Sequence, residues 1–176
     1  MGEYFFWDRN FKSICNAPLV PIEVGALDAD HPAVTFNDAW HDMSRNGQLP
    51  QAEELMELAI KSIHNWLMAF RKELQAGDDL YLLYLQGKSA AQMTYGMLQG
   101  QYLHEFTQSD CFDSRRALMR QTLSMSQPGF ARMDVARQKS EFFAQVTAGM
   151  FPVADGDQEL VIVVPAPVST RLRDAI

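Results

Sequence analysis

The sequence predicts an α+β domain in which helices come first and an antiparallel meander comes last. Three observations carry that reading. Apolar residues recur at spacings of three and four from about Pro50 to Gln75, the period drops to two over Leu80 to Gln86, and three strand-like runs follow Pro128-Gly129. With 47% apolar, 11% aromatic and 21% charged residues in 176, the chain has material for one substantial core. That composition excludes a disordered or low-complexity protein.

Each element follows from local chemistry. Residues 1–35 read as irregular, since Pro18, Pro21 and Pro32 block a long helix; Phe5, Phe6, Trp7 and Phe11 are too apolar for a free tail. Val34 to Arg45 reads as a short helix closed by Asn46-Gly47. A long amphipathic helix is expected from Pro50 to Gln75, with Met56, Ile60, Ile63, Leu67, Phe70 and Leu74 as its stripe. Pro50 and Glu53, Glu54 and Glu57 suit its start, Glu57 and Lys61 form an i,i+4 pair, and Gly77 is its stop.

Leu80 to Gln86 reads as a strand covered on both faces. Ser89 with Gln92 has the form of a capping box, opening a helix that ends at Gly96, and Tyr102 to Phe106 reads as another helical turn. A helix from Asp113 to Ser126 follows. Strands are then expected over Phe130–Arg137, Phe142–Val153 and Glu159–Val164, with Asp155-Gly156 turning the last pair. Asp155, Asp157 and Glu159 look like a fragment of a calcium loop, but ligands through position twelve are missing, so a hairpin is expected instead.

The net charge of −7 argues against non-specific nucleic-acid binding or binding to an anionic membrane. The whole excess lies in residues 1–79, with 13 acidic and 6 basic residues; residues 80–176 hold 9 of each. The opening residues lack a basic n-region and an apolar h-region, and the longest apolar stretch, Val161 to Val168, contains prolines, so a cytoplasmic protein is expected. Cys15 and Cys111 form no CxxC pair.

Phosphate-loop, dinucleotide, nucleophile-elbow and HExxH motifs are absent. No two of His31, His41, His64 and His104 stand at metal-ligand spacing with each other or a cysteine, so no metal site is expected. His64 reads as the flank of a buried stripe. Arg115, Arg116, Arg120, Arg132, Arg137 and Lys139 form the one basic concentration, read as a solvated face or, at Arg132, as a contact for an anion. Met93, Met97, Met119, Met125, Met133 and Met150 crowd the second half. Methionines fill irregular cores and line adaptable pockets alike. With Tyr84, Tyr95, Tyr102 and Phe106 they are candidates to line a cavity for a small apolar or aromatic ligand.

Asp79-Leu-Tyr-Leu-Leu-Tyr-Leu-Gln-Gly87, followed by Gly96-Met-Leu-Gln-Gly-Gln-Tyr-Leu-His-Glu-Phe106, resembles the PAS sensor superfamily. There a first strand gives way to short helices carrying a "G…L.G..L.E" segment, and a longer helix precedes a three-stranded meander. The turn Phe151-Pro-Val-Ala-Asp-Gly156 and the upstream Gly47-Gln-Leu-Pro50 are similar to short bacterial PAS-like proteins, and the resemblance covers about residues 40–165. The chain departs from that branch at Gln51-Ala-Glu53 and at Leu85-Gln86-Gly87-Lys88, where an arginine is usual. Neither the cysteine motif of flavin photosensors nor a haem-ligating histidine is seen, so the cofactor is left unassigned.

The resemblance implies a PAS-like antiparallel sheet of about five strands, short helices on one face and an N-terminal helical extension. Its divisions would be residues 1–77 for the extension, 78–168 for the core and 169–176 for a tail. It implies a non-enzymatic sensory or regulatory module that binds a small ligand or a protein partner. Candidate pocket residues are Tyr84, Tyr95, Tyr102, Phe106, Met133, Met150 and Arg132. Homodimerisation would use Phe5, Phe6, Trp7 and Trp66, and the length leaves the signal to a separate output protein. The alternatives are a small enzyme of the α+β cone type and a pure interaction module. The residues lining the largest cavity discriminate among the three.

Overall fold

The computed structural model describes residues 18–44, 46–58, 61–94, 96–136 and 143–167. Strand β1 (Val20–Ile22) precedes helices α1 (Pro32–Met43), α2 (Ala52–Leu58) and α3 (Lys61–His64). Then come β2 (Met68–Gln75), β3 (Asp78–Gln86), α4 (Lys88–Met93), α5 (Leu103–Phe106) and α6 (Ser109–Met125). Strands β4 (Gly129–Ala136), β5 (Phe143–Asp155) and β6 (Gln158–Pro167) close the chain. All six strands form one antiparallel sheet in the order β1-β4-β5-β6-β2-β3. None of the helices among the described residues is long and apolar enough to cross a membrane.

The α+β class and the closing meander are as expected. Two expectations are corrected. The sheet has six strands rather than about five, because Val20–Ile22 pairs with Phe130–Arg132 as a short edge. The long helix over 50–75 does not exist as such: α2 ends at Leu58, and Met68–Gln75 is a strand. The end of the segment alternates instead, with Met68 and Phe70 on one face and Leu67 and Ala69 on the other. Over so few residues the two periods coincide, and ladders to both β6 and β3 decide the matter. Gly77, expected to end a helix, instead shares a two-residue hairpin turn with Ala76, both at positive φ (86° and 50°). The boundary expected after residue 77 therefore falls at a hairpin tip inside the sheet. The Glu57–Lys61 pair straddles residues 59 and 60, which lie outside the described residues.

Several boundaries shift without changing the reading. Helix α1 begins at Pro32, α6 begins at Ser109 rather than Asp113, and Ser89 sits inside α4 rather than capping it. The β5–β6 turn is Gly156-Asp157, with Gly156 at φ 58°, so Asp155, Asp157 and Glu159 do flank a hairpin.

The sheet separates two cores. Met68, Phe70, Tyr81, Leu83, Met133, Met150 and Val163 face α4–α6. Ala69, Phe151, Val153, Leu160, Ile162 and Val164 face α1–α3. Central β6 is buried on both faces from Leu160 to Ala166, which is why it reads as a continuous apolar run. Its prolines fit that position. Pro165 and Pro167 lie beyond Met68↔Val163, where β2 has ended and no partner on that side needs an N–H. Pro152 likewise lies past the end of β4, and there its carbonyl accepts from Trp40 Nε1 at 2.8 Å.

Helix α1 approaches the sheet closely. A Cβ on Gly149 would stand 2.6 Å from the Phe151 ring and 3.0 Å from Ala33 Cβ, so glycine makes room for Phe151 and α1 together. Buried His31 caps α1: its Nδ1 accepts from Ala33 N–H at 3.0 Å, leaving Nε2–H to donate to Thr147 Oγ1 at 2.8 Å. Burial lowers the His31 pKa from its ordinary value, against the opposing pull of nearby carbonyls and of Asp28 and Asp30.

Two predictions follow from these contacts. The unfolded chain takes up a proton at His31 at higher pH than the folded chain does. Stability is therefore full above about pH 6.5 and falls as pH drops from there toward the lowered folded value. His31→Asn, which keeps a capping acceptor, should lose that part of the slope; denaturant midpoints of both proteins between pH 7.5 and 5.5 measure it, and parallel slopes would refute the assignment. Ala76 is an exposed L-residue held at φ 50°. Ala76→Asn should raise stability by up to about 1 kcal/mol, read from urea unfolding; a less stable variant would contradict the turn geometry.

Candidate functional site

A cavity opens between the sheet and α4–α6. Alternation on the strands supplies its floor: Met68 and Phe70 of β2, Met133 of β4, Ala148 and Met150 of β5, and Val163 and Pro165 of β6. Leu103 and Phe106 of α5, Arg115 and Met119 of α6, and Thr94 after α4 form the other side; Leu19 enters from the segment before β1. The cavity measures about 40 Å³, room for roughly three waters at about 10–15 Å³ each. Four thioethers surround it, and their side chains change shape at low cost.

The segment that carries Thr94 to the cavity is held by one buried amide. Gln86, at the end of β3, accepts from Leu98 N–H through Oε1 at 2.6 Å. Its Nε2 donates to Thr94 Oγ1 at 2.8 Å and to the Gly96 carbonyl at 3.3 Å. Thr94 in turn donates within its own segment, most closely to Gly96 O at 2.8 Å. The Thr94 hydroxyl is thus engaged in holding its own loop. Gly87 permits the next step: a Cβ there would stand 2.3 Å from the His64 carbonyl oxygen, and its N–H donates to Leu67 O at 2.8 Å.

Of the candidate pocket residues, Phe106, Met133 and Met150 line the cavity together. Arg132 does not: it alternates with Ala131 and Met133, so it projects to the α1 face, opposite Thr147. Tyr84 packs against the α1–α3 core, one step of alternation from Leu83, beside the register shift between β2 and β3. Its phenol is pushed up in pKa, chiefly by burial. Tyr102 sits outside the cavity at the β3 edge, where its hydroxyl donates to Glu73 Oε2 at 2.8 Å. That bond raises the Tyr102 pKa and, together with Arg71, lowers that of Glu73. Tyr95, Phe5, Phe6, Trp7 and Cys15 lie outside the described residues. Trp66 is half-buried against the α1–α3 core.

The basic group disperses. Arg116 pairs with Asp113 and lies over the Phe112 ring, Arg120 pairs with Asp79 at 2.8 Å, and Arg115 turns inward. Arg137 and Lys139 lie outside the described residues. His64 is exposed and donates from Nε2 to the Met56 carbonyl at 2.7 Å. Cys111 is buried, and no group of three or more His, Cys, Asp or Glu among the described residues is placed to hold a metal.

Arg115 is the charged lining residue that the candidate set left out. Its signal was present, because Cys111, Arg115, Leu118, Met119 and Thr122 share one buried stripe of α6 at spacings of three and four. A cation on an apolar stripe marks a charge turned toward the interior. Met68 and Phe70 were hidden by the helix assigned to their segment.

Gln86→Leu, close in volume, leaves Leu98 N–H without its acceptor in a buried position. The expected cost is about 1–3 kcal/mol, with hydrogen exchange at Leu98 accelerated in step with loosening of residues 94–98. Unchanged protection at that amide would show that Gln86 does not hold the loop. Comparison with known proteins found that no family model matches the chain and no curated protein matches it.

Proposed function

We propose that this chain is a sensory or regulatory module of the PAS-like kind, which binds a small ligand between its sheet and helices and passes a population shift to a partner. The observation that carries the reading is the cavity under α6, ringed by Met68, Met119, Met133, Met150, Phe70 and Phe106. Such a lining offers shape and adaptability rather than reacting groups. Among the described lining residues there is no carboxylate, imidazole or phenol to form an acid–base pair.

The order of elements supports the same reading. The resemblance implied a strand, short helices, a longer helix and a three-stranded meander; β3, α4, α5, α6 and β4–β6 follow one another in that order. Signal transfer then needs a ligand that favours one arrangement of α6 over another. Arg120 to Asp79 and the packing of Leu118, Met119 and Leu123 tie that helix to the sheet. These contacts are what a bound ligand would redistribute. Dimerisation through the N-terminal part of the chain belongs to the same proposal.

Native mass spectrometry of the purified full chain tests both parts at once. The expected result is a dimer carrying a small retained mass that is lost on denaturation. A bare monomer at micromolar concentration would overturn ligand retention and self-association together.

A further inference from the structure

The chemistry of the cavity's walls points to a class of ligand. Met68, Phe70, Met119, Met133, Ala148 and Val163 are all buried and apolar, and they supply most of the lining. The two polar side chains there already have work of their own. Thr94 Oγ1 accepts from Gln86 Nε2 at 2.8 Å and donates to the Gly96 carbonyl at 2.8 Å. Arg115 is engaged as well. A buried water is held by two to four polar partners, and apolar cavities stay dry; these walls give water little to bind.

We infer that the cavity takes a small, neutral, aliphatic molecule and holds it by apolar contact with the floor strands and α6. The inference rests on the sensory reading above and names its ligand class. A hydroxyl, amide or charged group carried into the cavity would give up its water for walls of sulfur, methyl and ring carbon. An alkyl chain loses nothing on entry and gains the burial. Such an occupant meets α6 at Met119 and the sheet at Met68 and Val163. Those are the two bodies whose relative position the sensory reading requires to change.

Size narrows the class further. A cavity of about 40 Å³ has room for roughly three waters, which as liquid fill about 90 Å³. At the packing density of a protein interior that space suits a chain of about three or four carbons. An aromatic ring is larger and rigid, and it enters only as the methionine side chains move aside. Each added methylene that finds apolar contact should tighten binding about fourfold, until the chain outruns the space.

Methyl-labelled methionine and carbon–proton NMR on the full chain provide the test, with dissolved ethane, propane and butane as probes. Propan-1-ol, which has a hydroxyl where butane has a methyl, is the polar counterpart, and benzene is the aromatic one. The alkanes should shift the methyls of Met68, Met119, Met133 and Met150 and leave Met43 and Met56, which pack on the opposite core, unmoved. Propan-1-ol should bind about tenfold or more weakly than butane. Ala148→Val, which fills part of the floor, should weaken butane about tenfold or more; should that variant not fold, the wild-type comparison of butane with propan-1-ol decides alone. Propan-1-ol or benzene binding as tightly as butane would overturn the neutral aliphatic class and leave a cavity that binds. Alkane shifts of equal size in both cores would overturn it too, since they would mark general uptake by apolar interiors. If no probe moves the lining methyls, the ligand-binding reading fails as well.

Discussion

The fold depends on the insertion of its last strand into the middle of its sheet. Strand β6 pairs with β5 along ten positions and with β2 along four, setting Met68 beside Val163 and Phe70 beside Val161. Until β6 is in place, the β2–β3 hairpin and the β4–β5 pair are separate pieces with unpaired edges. Neither core can close without it, since Val161 and Val163 belong to one and Leu160, Ile162 and Val164 to the other. Contacts so distant in sequence are costly to form early, so the structure is completed late in the chain's search.

The candidate site is a consequence of that arrangement. Alternation along β2, β4, β5 and β6 sends Phe70, Met133, Met150 and Val163 to the same side. Beneath α4–α6 the methionines Met68, Met119, Met133 and Met150 take up irregular space. The opposite face shows the contrast. There α1 packs against Gly149 and Phe151, Trp40 reaches a strand carbonyl, and His31 ties the helix start to Thr147. Both faces carry polar ties, but only the α4–α6 face keeps an adaptable cavity among the described residues.

Much of this was legible along the chain. Val34 to Arg45, Leu80 to Gln86, the helix before Pro128 and the three closing strands each carry one dominant period and clear punctuation. Residues 68–75 were not legible, because Phe70 and Leu74, four apart, share a face in a strand and in the tail of a helix alike. Local pattern has no term for the ladder that β6 offers. At the site, Phe106, Met133 and Met150 were found from residue type, whereas Arg132 and Tyr84 each lie one step of alternation from residues of the cavity-side core, Met133 and Leu83. A slip of a single residue sends a strand side chain to the other face.

By itself the amino-acid order determined the α+β class, the meander, the turn at Gly156, and the methionine-rich character of the second half. These are local properties, set by spacing, turn chemistry and composition. Only tertiary structure decided that Met68–Gln75 is a strand, that Arg115 rather than Arg132 faces the cavity, and that His31 is a buried cap. Two of those outcomes depend on a partner far along the chain: Val163 for Met68 and Thr147 for His31. Which face a residue meets is a property of the pairing, and pairing exists only once the sheet has formed.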